Sequence, residues 1–144
     1  MNNNTQKAAK LLSDGNYSYA LCNGNEVYTS KDMGIKPLMD LLSSNTDLYG
    51  FSAADKIVGK AAAMLYILLD VSEVYAPVMS ESAKCTLEIY GISPICDKCV
   101  KEIINRQGTD ICPMEKTVAE IDDPKKAYDA LKAKMLKMQQ MKND

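Results

Sequence analysis

The spacing of apolar residues along this chain changes period several times, and each change marks an element. Thr5–Ser13 places Ala8, Ala9, Leu11 and Leu12 at helical spacing, and Gly15 is its stop. Tyr17–Cys22 and Glu26–Ser30 read as strands on either side of Asn23-Gly24, which predicts a hairpin over residues 17–30. Lys36-Pro37 opens a helix whose apolar side carries Ile35, Leu38, Met39, Leu41 and Leu42; Ser43-Ser44-Asn45 ends it. The stretch 48–70, LYGFSAADKIVGKAAAMLYILLD, predicts a short strand, a polar crossing at Ser52–Asp55, and a helix that is almost wholly apolar after Lys60. Glu73–Met79 predicts another strand, Ser80 an N-cap, and Gly91 the end of the helix that follows. Ser93–Val100 carries a further strand, Cys112-Pro113 starts a short helix, and Asp122-Asp123-Pro124 starts a C-terminal amphipathic helix over 124–141.

Strands separated by helices call for parallel pairing, whereas the hairpin must be antiparallel. The expected fold is therefore a single α/β domain over residues 1–144, a three-layer α/β/α sandwich around a mixed sheet.

Composition removes several chemistries. The 144 residues contain no histidine, which excludes Ser–His and Cys–His nucleophile pairs and every imidazole metal ligand. A net charge of −2 gives no reason to expect nucleic acid as a partner. The longest uncharged apolar run, Ala61–Leu69, falls short of the roughly 20 residues that span a bilayer, so no membrane span is expected. Five cysteines, an odd number behind a start that is no signal peptide, fit reduced thiols in a cytoplasm.

Three stretches carry candidate chemistry. The first is the helix entrance at Ser52, Asp55, Lys56 and Lys60, where free backbone N–H groups beside lysines make an anion site. Lys60 sits in an apolar helix and needs a partner such as Asp55; the plainer alternative is that Asp55 caps the helix and both lysines reach solvent. The second is Asn105–Glu115, NRQGTDICPME. It holds Asn105, the chain's single arginine Arg106, Thr109, Asp110, Cys112 and Glu115. A guanidinium grips phosphate or carboxylate in two places at once, and a thiol at a helix start is acidified. The plainer alternative is a connecting loop in which Arg106 pairs with Asp110. The third, Cys96-x-x-Cys99, is a lone CxxC without histidine or a second pair; it reads first as incidental reduced thiols, so no metal and no cofactor is expected, with zinc bound beside Cys85 or Cys112 and a redox pair as the alternatives.

The wording of ADKIVGKAAAML (54–65), GIKPLMDLL (34–42) and IINRQGTDICPMEKTV (103–118) resembles an uncharacterised prokaryotic family known as a domain of unknown function and grouped with the cytidine-deaminase-like fold. That resemblance spans roughly residues 5–130 and implies a five-stranded mixed sheet between helices. It does not imply zinc deamination. The H/C-x-E motif of those enzymes would fall near Asp55-Lys56-Ile57, and their P-C-x-x-C near Ser80–Lys84; neither is present.

The function expected is binding of a small anionic or nucleotide-like molecule through Ser52, Lys56, Lys60, Asn105, Arg106, Thr109 and Glu115. One alternative is an enzyme with Cys112 as nucleophile and Asp55 or Asp110 as base. Another is a non-catalytic interaction protein, a homodimer for instance, whose C-terminal stripe of Tyr128, Leu131, Met135 and Met138 meets a partner.

Overall fold

A computed structural model describes residues 1–143. Among them run six strands and six helices: α1 (Asn3–Asp14), β1 (Tyr19–Asn23), β2 (Glu26–Ser30), α2 (Lys36–Ser43), β3 (Ser52–Asp55), β4 (Ile57–Val58), α3 (Lys60–Leu69), β5 (Glu73–Ser80), α4 (Glu81–Ile89), β6 (Ser93–Val100), α5 (Pro113–Val118) and α6 (Pro124–Asn143). The strands form one open mixed sheet. β2 and β3 pair antiparallel with β1, and β5 lies parallel to β3, β4 and β6.

The central stretch departs from expectation in an instructive way. Leu48–Gly50 forms a turn with Gly50 at φ +83°, and the polar run Ser52–Asp55 is itself the strand. Polarity is tolerated there because the side chains have partners. The Ser52 hydroxyl donates to Asn2 Oδ1 at 3.0 Å, and Asp55 Oδ2 accepts from the Tyr66 hydroxyl at 2.7 Å. The expected count of five strands becomes six because the chain steps out of regular pairing at Lys56. The step keeps register: Ala54 pairs with Tyr75 and Ile57 with Val78 along the same edge of β5. Even at the step, the Lys56 N–H donates to Ser18 O and its carbonyl accepts from Val78 N. Helix α3 consequently starts at Lys60, so Lys56 and Lys60 do not share a helix face and Asp55 does not cap that helix.

Two smaller differences have local causes. In the hairpin the two turn residues are Gly24 and Asn25, with Asn23 opposite Glu26, and Gly24 has φ +59°. Glycine at the first central position suits a type II′ turn. Helix α6 runs on to Asn143, two residues past the expected end.

Burial follows the pleat. Tyr19, Leu21 and Ala53 belong to the main core with α3, whereas Ala20, Cys22 and Ala54 pack with Ala8 and Leu12 of α1. Asn2 fixes the start of α1, accepting from Thr5 N at 2.8 Å and from Ser52. Helix α3 is buried on nearly every side: Ala61–Tyr66 and Leu69 have almost no exposure. The small side chains at 61–63 let neighbouring elements approach closely. Ala127 and Leu131 bury one side of α6, with Tyr128 and Met135 packed beside them; Leu136, Met138 and Met141 remain exposed.

Candidate functional site

The parallel strands β3–β4, β5 and β6 all end at one edge of the sheet, and antiparallel β1 begins there. Open α/β sheets bind ligands outside the carboxyl ends of their strands. At that edge a cleft of about 930 Å³ opens, lined from sequence-distant segments by Asp55 and Lys56 at the β3–β4 step, Ser18 and Tyr19 at the start of β1, Lys31 beyond β2, and Asn105, Arg106, Cys112 and Glu115 from the loop and α5. Exposed Ile57 and Ile104 and the half-exposed Met138 add apolar wall.

The start of α3 forms the floor, and its polar groups are spoken for. No side chain of its own caps the helix, since Gly59 stands at the N-cap. Glu115 reaches over from α5 instead: its Oε1 accepts from Lys60 N at 2.7 Å and its Oε2 from Ala61 N at 2.8 Å. Helix N-termini leave such amides without partners and carry partial positive charge, so a carboxylate there is favoured on both counts. Gly59 is needed for this approach. A Cβ at residue 59 would come within 2.4–2.7 Å of the Glu115 carboxylate. The Lys60 amine, nearly buried, donates to Ala119 O at 3.1 Å and lies 3.6 Å from Asp122 Oδ1. Its partner is therefore the end of α5, where Asp55 had been expected.

Asp55 has a different setting. Its carboxylate accepts from the Tyr66 hydroxyl and, at 3.3 Å, from Ile57 N. Burial pushes its pKa up to about 7, against the lowering effect of those two hydrogen bonds. Tyr66 in turn is raised, by burial first and then by the neighbouring Asp55 charge. The cleft thus contains a carboxyl group that titrates near neutrality in a chain without histidine.

Among the residues expected from sequence, Asp55, Lys56, Asn105, Arg106, Cys112 and Glu115 come together in the cleft, while Ser52, Lys60, Thr109 and Asp110 do not line it. Ser52 belongs to the α1 cap. Thr109 closes its own loop, its N–H donating to Asn105 Oδ1 at 3.1 Å. Asp110 pairs with Lys116, which with the Ile111 amide holds its pKa below the usual carboxylate value. Arg106 is exposed, and its suggested pairing with Asp110 is absent among the described ion pairs. Lys56 donates to Asn16 Oδ1 at 2.8 Å. All five cysteines are free, and no group of three or more potential ligand side chains among the described residues is placed to hold a metal ion. No described helix is long and apolar enough to cross a membrane.

Sequence reading missed Tyr66, Asn16 and Lys31. Tyr66 left a signal, being the sole polar-tipped side chain in the apolar run 61–69, and a buried hydroxyl needs a partner.

Residues 7–135 match the family described as a domain of unknown function, DUF1893. A crystal structure of a DUF1893 family protein from Thermotoga maritima is similar, with 30% sequence identity, a TM-score of 0.85, and coverage of 93% of this chain and 92% of that one. No curated protein matches the chain.

Three outcomes follow from this geometry. Glu115→Ala should cost about 2–3 kcal/mol in urea unfolding, the worth of hydrogen bonds to a charged cap. Gly59→Ala should cost about 1–2 kcal/mol alone and much less in the Glu115→Ala background, because the three atoms nearest to the added Cβ, all of the Glu115 carboxylate, are then gone. Equal cost in both backgrounds would contradict the contact. For Asp55, the raised pKa means that the folded state holds the proton more tightly than the unfolded chain, whose Asp titrates near about 3.9. Its stabilising contribution is full below pH ~4 and is lost as pH rises through about 7. The melting temperature of Asp55→Asn relative to the parent should therefore climb between pH 5 and pH 8; a pH-independent difference would refute the assignment.

Proposed function

The chain therefore belongs to the DUF1893 family, and on that premise we propose that it is a small-molecule binding protein whose cleft takes an anionic, nucleotide-like ligand. The observation that carries this reading is convergence. Lys56, Arg106 and Lys31 come from three distant segments to one cleft whose walls also present apolar Ile35, Leu38, Ile57, Ile104 and Met138 beside a set of polar side chains. A phosphate needs cationic donors, and a base or sugar needs apolar wall beside a few polar groups; the cleft has both. The uncharged form of Asp55, favoured by its burial, removes a repulsive charge and leaves a hydroxyl donor.

The fold belongs to the same proposal: a three-layer α/β/α sandwich of cytidine-deaminase-like type. It is supported by the alternation of β1 and β3 residues between the α1 cluster and the α3 core. A cytoplasmic location is in keeping with five unpaired thiols. One observation favours catalysis as a second reading. Cys112 and Asp55 line the same cleft, and a carboxylate that titrates near neutrality is suited to act as a general base. Asp110, exposed and held ionised by Lys116, is poorly suited to that role.

Calorimetric titration with nucleoside monophosphates and the matching nucleosides tests the proposal. The phosphate-bearing compounds should bind at least tenfold more tightly, and Arg106→Ala and Lys56→Ala should each remove about three- to tenfold, on the order of 1 kcal/mol. If neither substitution changes affinity, or if the nucleosides bind as well, the anion-binding cleft is wrong.

A further inference from the structure

A second hollow, an open groove of about 820 Å³, runs between α2 and α6 and touches the cleft. The two share Met33, Ile35, Met114 and Met138 as lining, so one molecule can occupy both without crossing a wall. Six of the chain's nine methionines face the groove. Unbranched thioethers adapt to flexible apolar shapes better than branched side chains do. Leu136, Met138 and Met141 keep 53%, 39% and 70% of their surface exposed in this groove. The buried side of α6 packs through Ala127 and Leu131 and has no need of them. From Tyr128 to Met141 the groove follows α6 for roughly 20 Å, at 1.5 Å rise per residue. Lys132 and Lys142 stand on its rim, and the one acid there, Asp40, is already paired with Lys36 at 2.9 Å.

We infer that the groove holds the alkyl or acyl tail of an amphipathic anion whose head group sits in the Arg106–Lys56 cleft. This inference rests on the anion-binding reading of the cleft and narrows its ligand class. Charge separates it from the other simple occupant, the α6 helix of a second copy. From Pro124 onward the chain carries six lysines and two aspartates, so helix and rim would repel each other. An anionic amphiphile satisfies both the apolar floor and the cationic rim.

The test is binding of ethyl, butyl, octyl and dodecyl phosphate to the full chain below their critical micelle concentrations, measured by calorimetry alongside light scattering. Affinity should rise about fifteenfold for each pair of fully buried methylenes, at about 0.8 kcal/mol per CH₂, until the groove is filled. Leu136→Glu and Met141→Glu, both at exposed positions that line the groove and not the cleft, should flatten that dependence and leave ethyl phosphate binding unchanged. Arg106→Ala should weaken every member by a similar factor. Affinity independent of chain length would overturn the tail site and leave the cleft reading standing. Failure of every phosphate to bind would remove both. Chain-length dependence that ignores Arg106 would overturn the shared site. So would a dimer that Leu136→Glu disperses, or displacement of the alkyl chain by an acidic amphipathic peptide, since each gives the groove another occupant.

Discussion

The contact on which the rest of this structure depends is the pair of hydrogen bonds from the first two amides of α3 to the carboxylate of Glu115. α3 is the most deeply buried helix, and its own sequence supplies no cap, only Gly59. A buried helix end without partners for its amides would be costly. α5 meets that requirement from 55 residues downstream, and Lys60 ties the far end of α5 through Ala119 O. The two bonds and the lysine thus hold α5, and with it the loop carrying Asn105 and Arg106, over the carboxyl edge of the sheet.

In the anion-binding reading proposed above, that arrangement decides where the anion would sit. A free helix N-terminus attracts anions, but here a resident carboxylate already answers the partial charge. Lys60 is likewise turned away from the cleft, toward Ala119 O and Asp122. The cations left to the proposed ligand are peripheral: Arg106 on its loop, Lys56 at the step in the strand, Lys31 beyond the hairpin and Lys142 on α6. Asp55 lies among them, its burial favouring the protonated form up to about neutral pH. The site is thus cationic at its rim, and its floor is a closed internal salt-like contact.

Elements set by local periodicity were legible in the sequence. The hairpin, α2 after Lys36-Pro37, the N-cap at Ser80 and the start of α6 at Pro124 all lie within a residue or two of where pattern and capping place them. The 48–60 stretch was misread because local pattern cannot see tertiary partners. Ser52 and Asp55 look like a polar crossing until Asn2 and Tyr66 are brought beside them. The same limit applies to the site. Residue chemistry singled out Asp55, Lys56, Arg106, Cys112 and Glu115, and the fold gathers them. It also cast Glu115 and Lys60 as ligand contacts, although both spend their polar groups within the protein. No signal in one chain marks a carboxylate at 115 as the cap of a helix at 60.

The most direct test of this division between floor and rim is an amide chemical-shift titration with inorganic pyrophosphate. The account predicts that the amides of Lys56, Arg106 and Gln107 move first, while those of Lys60 and Ala61 stay in place with Glu115 still bound to them. Early, large shifts at Lys60 and Ala61, with Glu115 displaced by the added anion, would contradict it and make the α3 N-terminus the binding site.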